Sequence, residues 1–93
     1  MYHILFYKTI ENYVEKRVPY REEHLAYAKA AHKRGTLVMA GALGNPVDGA
    51  VLVFKGEEPT VAEEFAQNDP YMKNGLIIEW EVRPWTVVIG GEL

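Results

Sequence analysis

Three short segments of the chain are apolar on both sides of a β-strand, and this feature constrains the fold more than any other. They span residues 2–8, 36–43 and 50–55. Successive side chains of a strand point to opposite faces of its sheet, so neighbours such as Ile4 and Leu5 both need cover. A chain of 93 residues has too few helical residues to cover both faces by itself. The pattern therefore predicts a sheet with helices on one face and an uncovered apolar face on the other.

A long helix is predicted after a polar loop over residues 9–18. Residues 20–34 have helical spacing, with a stripe of small and apolar side chains between polar positions. Pro19 suits the first turn of this helix, where its missing N–H is not needed, and Gly35 is a natural C-cap. The helix therefore carries His24 within its first two turns.

A shorter helix and a last strand complete the set of elements. Thr60 and Glu63 have the spacing of a capping box, which predicts a helix over residues 61–67. Residues 76–83 alternate in the manner of a strand. Pro84 is expected to interrupt this strand, because proline lacks the N–H that a sheet uses.

The resulting order is β-α-β-β-α-β, which predicts an α+β, ferredoxin-like sandwich. Both helices are expected on one face of a four-stranded antiparallel sheet, in a single domain over residues 1–93. Residues 86–89 are predicted to add a short edge strand. The uncovered apolar face predicts a homodimer packed sheet against sheet, with a higher homo-oligomer left open.

Composition excludes several function classes. Ten Lys and Arg residues against thirteen Asp and Glu give a formal charge of −3, which argues against a nucleic-acid partner. The chain has no cysteine and no serine, so thiolate and serine nucleophiles, disulfides and cysteine-ligated metals are excluded. The three histidines lack metal-ligand spacing. The sequence therefore predicts no metal site.

No targeting or membrane segment is expected. Residues 1–8 lack the basic region and the cleavage site of a signal peptide. The longest other apolar run, over residues 37–43, is far shorter than the roughly 20 residues that cross a bilayer. The sequence predicts a soluble, cytoplasmic protein that has no membrane partner.

His24 is the first candidate for chemistry. Near the N-terminus of a helix the dipole disfavours imidazolium, so the neutral ring can accept a proton. Ala28 and Ala31 share its stripe, and such small side chains can leave a hollow beside the ring. The alternative is a half-buried helix histidine whose hydrogen bonds are satisfied within the fold.

Asp69 is the second candidate, in the segment Asn68-Asp69-Pro70-Tyr71. As a partner of His24, its carboxylate would orient the ring and stabilise the protonated form. The alternative is an Asx turn, in which an Asp before proline bonds its own backbone two residues on. Both interpretations stay open because the sequence does not give the distance between Asp69 and His24.

Arg21 and Gly41 are candidate substrate-binding residues. Arg21 precedes His24 by three residues, so both lie on one helix face, and its guanidinium can bind a carboxylate with two hydrogen bonds. A solvated or ion-paired arginine is the alternative. Gly41, inside a strand, would let a ligand or another backbone approach closely, and a simple packing role is the alternative.

Six short motifs follow one another between residues 2 and 85. They are Arg21-x-x-His24-Leu25, Gly35, Leu37-Val38-Met39-Ala40-Gly41, Asn68-Asp69-Pro70-Tyr71, Gly75-Leu76 and Arg83-Pro84-Trp85. In this order they closely resemble the YciI-like (YCII-related) family. The resemblance implies a dimeric α/β barrel of ferredoxin-like protomers. It also implies a His–Asp site formed by His24 and Asp69, with Arg21 and Gly41 as the helix arginine and strand glycine of the family.

The resemblance further implies chemistry on a small-molecule ligand without a cofactor. Some relatives look like muconolactone-type isomerases or dehalogenases, which move a proton on a small lactone and can release a leaving group. One departure concerns the third strand, where many members follow a glycine with serine and this chain has Gly49-Ala50. The missing hydroxyl would remove one substrate contact.

Three functions remain open at this point. The leading one is an enzyme in which His24 is the general acid or base, Asp69 orients it, and Arg21 holds an anionic group. Its reaction would be an isomerisation, elimination or dehalogenation of a small organic acid or lactone. The first alternative is a non-catalytic small-ligand-binding or regulatory module. The second is a cofactorless monooxygenase, by analogy with other ferredoxin-like dimeric barrels.

Overall fold

The structure is a computed structural model that describes residues 1–90. Four antiparallel strands form one sheet in the order β2-β3-β1-β4. The strands are β1 (Tyr2–Thr9), β2 (Leu37–Leu43), β3 (Gly49–Lys55) and β4 (Ile77–Trp85). The element order and the sheet topology confirm the predicted ferredoxin-like α+β sandwich.

Four helices lie in the connections between strands. They are α1 (Tyr13–Lys16), α2 (Arg21–Arg34), α3 (Thr60–Asn68) and α4 (Pro70–Lys73). Gly35 ends α2 with a φ of 88°, in the left-handed region that glycine adopts without strain, as predicted. Among the helices of residues 1–90, none is long and apolar enough to cross a membrane.

The helices cover one face of the sheet. Along β1, residues His3, Leu5 and Tyr7 are buried, whereas the residues between them are only half-buried. This alternation was predicted for β1 and follows from the period of two in a strand. Leu5 and Tyr7 join Phe54 and Phe65 in one apolar core.

The opposite face of the sheet carries no helix within the described residues. Ile4 and Phe6 of β1 lie there half-buried, and Val51 of β3 pairs with Phe6. Met39 and Leu43 of β2 are exposed at 49% and 44%. This is the uncovered face that the strand pattern predicts: it is apolar over most of β1 to β3, and its β4 edge carries Glu79, Glu81 and Arg83.

The predicted loop over residues 9–18 is wrong in its second half. Residues Tyr13–Lys16 form the short helix α1, and a 3₁₀ turn, Val18–Tyr20, then leads into α2. The physical reason is that the Tyr13 side chain is buried in the core, which holds this segment against the sheet. Pro19 therefore lies in the 3₁₀ turn rather than in α2.

The predicted capping box is also wrong. Thr60 is the first residue of α3 rather than its N-cap, and no side-chain cap bond forms. Pro59 occupies the N-cap position with a φ of −71°, which its ring already favours, and its carbonyl accepts from the N–H groups of Ala62 and Glu63. The helix therefore starts one residue earlier than the side-chain pattern indicates.

The last strand does not stop at Pro84 but continues to Trp85. β4 lies at an edge of the sheet, where a missing N–H can face solvent instead of a neighbouring strand. The predicted extra strand over residues 86–89 is not formed. Val88 and Ile89 are 87% and 89% exposed, so this segment has no neighbour with which to pair.

Candidate active site

His24 and Asp69 lie in direct contact although 45 positions separate them along the chain. Nδ1 of His24 is 2.7 Å from Oδ1 of Asp69, the distance of a charge-assisted hydrogen bond. His24 is the fourth residue of α2, and Asp69 lies at the junction of α3 and α4. The packing of α2 against α4 therefore creates the contact.

Asp69 is completely buried and accepts hydrogen bonds from three groups. As the N-cap of α4 it accepts from the backbone N–H of Tyr71 at 2.9 Å through Oδ1, which also receives His24. Oδ2 accepts from the hydroxyl of Tyr7 at 2.8 Å. Asp69 therefore makes both the hydrogen bond of an Asx turn and the contact with His24, which the sequence leaves as alternatives. Together the donors compensate for the burial of a carboxylate.

The contact with Asp69 decides which nitrogen of His24 carries the proton. A carboxylate accepts from Nδ1–H, so in the neutral ring the lone pair lies on Nε2, which points away from Asp69. The ring also stacks on Tyr71, with centroids 3.7 Å apart and planes at 6°. Its side chain is 15% exposed and borders a cavity. The arrangement presents a proton acceptor of fixed orientation.

The cavity beside His24 has a volume of about 220 Å³. The sheet contributes small side chains to its wall: Ala40, Ala42 and Ala50. Ala28 of α2 lines it as well, whereas Ala31 is 1% exposed and lies in the packed core. A cavity of this size suits one small ring or a short acid.

Three larger surface depressions, of about 480 Å³, 540 Å³ and 380 Å³, lie elsewhere. The first is bordered by residues 9–15 and 46–48, the second lies over β1 and β4, and the third lies between α2 and α3. None of the three is lined by a histidine, the side chain whose ordinary pKa is nearest to neutral pH. The smaller cavity at His24 is therefore the candidate site.

Two arginines give the cavity a positive charge. Arg21, a sequence candidate, is the first residue of α2, and Arg17 follows the end of α1. The guanidinium carbon of Arg17 lies 5.1 Å from the centre of the Tyr13 ring. Within the described residues no acidic side chain lines the cavity. This charge distribution favours an anionic ligand.

Gly41 borders the cavity through its backbone. Ala40 and Ala42 pair with Leu52 and Ala50, and all four line the cavity, so Gly41 between them faces the opposite side of the sheet. A Cβ atom added to Gly41 would meet no atom within 4 Å. The side of Gly41 that lacks a side chain is thus turned toward the uncovered face.

The phenols of the site are held in their neutral form. Burial raises the pKa of Tyr7 far above its ordinary value, and the charge of Asp69 and the hydrogen bond to it raise this pKa further. Burial also raises the pKa of Tyr13, although Arg17 opposes that shift. Tyr7 therefore remains a hydrogen-bond donor to Asp69 at neutral pH.

Tyr7, Tyr71 and Arg17 belong to this site but are not among the sequence candidates. From the alternation of β1, the sequence shows that Tyr7 lies on one face of the sheet but not that it contacts Asp69. Tyr71 is noticed only because it follows Asp69 in the same motif. Arg17 stands four residues before Arg21, a spacing that brings two side chains to one side of a helical segment. That spacing was the available signal, and the loop prediction concealed it.

The fold and the motifs agree with a known family. The sequence profile of the YCII-related domain family matches residues 1–86. The chain belongs to this family. An uncharacterised protein of Haemophilus influenzae is 32% identical to this YCII-related protein over 97 aligned residues, which cover 95% of this chain and 99% of that protein.

A solved structure shares the fold of this YCII-related protein. It is the 5-chloro-2-hydroxyhydroquinone dehydrochlorinase TftG of Burkholderia phenoliruptrix, in complex with 2,5-dihydroxybenzoquinone. The two chains superpose with a TM-score of 0.75 at 21% sequence identity, covering 92% of this chain and 94% of the other. The similarity establishes the common fold.

Proposed function

We propose that this YCII-related protein is a cofactor-independent enzyme that moves a proton on a small organic acid or lactone, with His24 as the catalytic acid or base. The observation that carries the proposal is the 2.7 Å contact of His24 with Asp69 at the wall of a cavity. Asp69 is a positioning residue, because it acts on the substrate only through the ring of His24. Arg21 would hold an anionic group of the substrate.

The proposed proton transfer balances within the site. Nε2 of His24 takes a proton from a carbon next to a carbonyl, and the C–H electron pair moves to the carbonyl oxygen or expels a leaving group such as chloride. The imidazolium that forms is stabilised by Asp69 through the Nδ1 hydrogen bond. It returns the proton to another atom of the substrate in an isomerisation, or to water in an elimination. Arg21 stabilises the negative charge that develops on oxygen.

The choice among isomerase, lyase and dehalogenase chemistry depends on the substrate, since all three begin with this step. A dehydrochlorinase shares the fold. We therefore expect loss of chloride from hydroxylated rings to be the first reaction to test and conversion of small lactones the second. Both substrate types are of a size that the cavity of about 220 Å³ can hold.

The test compares His24→Gln with His32→Gln. The first variant removes the proton-transfer group but keeps a hydrogen-bonding side chain of similar shape. The second changes a histidine of the same helix that bonds the carbonyl of Leu37 and does not line the cavity. Chloride release and lactone conversion are measured. We expect His24→Gln to lower turnover by about 10²–10⁴-fold and His32→Gln to leave it largely unchanged.

Two outcomes would contradict the proposed reaction. If the protein binds small anions without converting any substrate, and His24→Gln binds them equally well, it is a ligand-binding or regulatory module. If it consumes oxygen with quinol-type substrates, it is a monooxygenase. Isothermal calorimetry detects the first outcome, and an oxygen electrode detects the second.

We also propose that two copies of the chain associate through the uncovered sheet face. The support is chemical: Ile4 and Phe6 of β1, Val51 of β3 and the exposed Met39 and Leu43 of β2 give this part of the face an apolar surface, which Glu79, Glu81 and Arg83 of β4 border on one side. An exposed apolar patch with a polar rim usually marks an interface. The other face of the sheet needs no partner, because helices of the same chain cover it.

Analytical ultracentrifugation at micromolar concentration tests this association. We expect a dimer for the unmodified chain and a monomer for Phe6→Glu, which introduces a charge into the middle of the face. Val18→Glu adds the same charge on the exposed 3₁₀ turn and is expected to remain dimeric. A monomeric unmodified chain would rule the association out.

A further inference from the structure

Two arginine side chains at the cavity have no acidic partner. Arg17 and Arg21 both line the cavity beside His24. Within residues 1–90 the one ion pair closer than 4.0 Å joins His24 to Asp69. Neither guanidinium is therefore neutralised by a carboxylate of the part of the chain that the structure describes. Arginine side chains that line a cavity and have no carboxylate partner are suited to binding an anion.

The side chain of Arg17 is oriented by an aromatic ring. Its guanidinium lies over the Tyr13 ring at 5.1 Å, in a cation–π contact. As a whole residue Arg17 is half-buried, whereas Arg21 is exposed. Because the ring contact already limits the positions of the Arg17 side chain, less conformational freedom is lost when it binds an anion.

The rest of the cavity supplies no negative charge that could compete with a ligand. No Asp or Glu of residues 1–90 lines it. The carboxylate of Asp69 lies behind the ring of His24 and is already bonded to three donors. Burial raises the pKa of Tyr7 and of Tyr13, so both phenols stay neutral. Two fixed positive charges thus face a space of about 220 Å³.

We propose that Arg17 and Arg21 together bind a small dianion, such as a single-ring dicarboxylate or a doubly ionised hydroxyquinone. Arg21 binds one charged oxygen group, and Arg17, already oriented on Tyr13, binds the second. Arg17 is thereby the residue that distinguishes a substrate with two charges from one with a single charge. This inference rests on the proposed function only in taking the cavity beside His24 as the substrate site.

Calorimetric titration with phthalate and benzoate tests the arginine pair, because the two ligands share one ring and differ by one carboxylate. The variants are Arg17→Gln and Arg34→Gln. Arg34 is the last residue of α2, where it lines a different depression, and its loss changes the net charge equally. We expect Arg17→Gln to weaken phthalate binding by roughly 10- to 100-fold and benzoate binding far less, whereas Arg34→Gln leaves both nearly unchanged.

The inference is overturned if Arg17→Gln binds phthalate as tightly as the unmodified chain, or if Arg34→Gln loses as much affinity. The second result would assign the effect to overall charge. Arg17→Lys keeps the charge but not the planar fork, and we expect it to bind phthalate with intermediate affinity. Circular dichroism verifies that each variant is folded. If Arg17→Gln does not fold, the comparison is made with Arg17→Lys instead.

Turnover by His24→Gln and phthalate binding by Arg17→Gln together separate this inference from the proposed function. If substrate turnover does not depend on His24 while Arg17 still controls phthalate binding, the proposed reaction is wrong and the arginine pair stands. If turnover depends on His24 but Arg17 has no influence on phthalate, the arginine pair is wrong and the reaction stands.

Discussion

The two ends of α2 meet the same sheet in opposite ways. Toward its C-terminus, Ala31 is buried in a core that includes Leu37 and Phe54. One turn earlier, Ala28 borders the cavity, and the sheet residues that also line it include Ala40 and Ala42. The helix offers alanine at both positions. The difference lies in their neighbours: Ala31 is buried among core side chains, although a depression of about 380 Å³ also lies beside it, whereas Ala28 shares a cavity wall with the small side chains of Ala40 and Ala42.

This comparison shows how a helix can serve stability and chemistry at the same time. Dense packing around Ala31 fixes the axis of α2 against the sheet. The open end then presents His24 at the wall of a cavity, with Asp69 buried behind it. The position of the histidine therefore depends on packing that involves neither member of the pair.

The largest expected effect comes from adding the same bulk to both ends of α2. Ala31→Leu overfills a site with 1% exposure and should lower the free energy of unfolding by about 1–3 kcal/mol. Ala28→Leu extends into the cavity, so we expect a change below about 1 kcal/mol but loss of phthalate binding. Urea denaturation and calorimetry measure the two quantities. Equal destabilisation by both substitutions would show that the ends are packed alike.

The second effect concerns alkaline pH and compares Tyr7 at the open end with Tyr27, which donates to the carbonyl of Phe65. Burial is the largest cause of the raised pKa of both phenols and the charge of Asp69 is the second, and for Tyr7 the hydrogen bond to Asp69 adds to them. A raised pKa means that the stabilisation is fully present below the unfolded pKa of about 10 and is lost as pH rises above it. Between pH 9 and pH 11, Tyr7 alone should lower the free energy of unfolding by about 1.4 kcal/mol in total.

Urea denaturation between pH 9 and pH 11 measures this dependence. We expect Tyr7→Phe to remove the contribution of Tyr7 to the slope, and Tyr27→Phe to remove less. An unchanged slope in Tyr7→Phe would mean that the phenol at the open end is not shielded from water as the structure indicates. The hydrogen bond of Tyr7 to Asp69 would then be open to exchange with solvent.

The smallest effect is expected at Tyr71. Its hydroxyl is buried and has no hydrogen-bond partner within the described residues, while its ring stacks on His24. Tyr71→Phe removes only the unpaired hydroxyl, so the free energy of unfolding should change by less than about 1 kcal/mol. Tyr71→Leu removes the stack on His24, and we expect it to lower turnover more than Tyr71→Phe does, because the ring loses a contact that orients it. Equal turnover in both variants would show that the stack has no influence on the ring.

Several elements of the structure were predictable because their signals are local. The period of two in β1 and the helical spacing of α2 both lie within one segment, and the left-handed glycine at position 35 ends α2 as expected. The wrong start of α3 at Pro59 and the wrong end of β4 at Pro84 have one cause. A proline starts a helix or interrupts a strand according to whether its missing N–H is needed by a neighbouring group, and only the assembled fold shows this.

The candidate site was also predictable only in part. The residue types of His24 and Asp69 and their local settings mark both as candidates, but the 2.7 Å contact exists only because α2 packs on α4. Arg17 and Tyr7 carry no local sign of their roles. Their side chains reach the site from separate elements, and no periodicity within one segment records which elements meet.

By itself, the sequence determined the order of the four strands and the two longer helices, the alternation that divides each strand into two faces, and the residue types available for proton transfer. These follow from the stereochemistry and polarity of neighbouring residues, which act over a few positions. The tertiary structure alone decided which face the helices cover, where the alanines leave a cavity, and which arginines border it. Those features depend on contacts between distant segments, whose free energy is gained only when the whole sheet and its helices pack together.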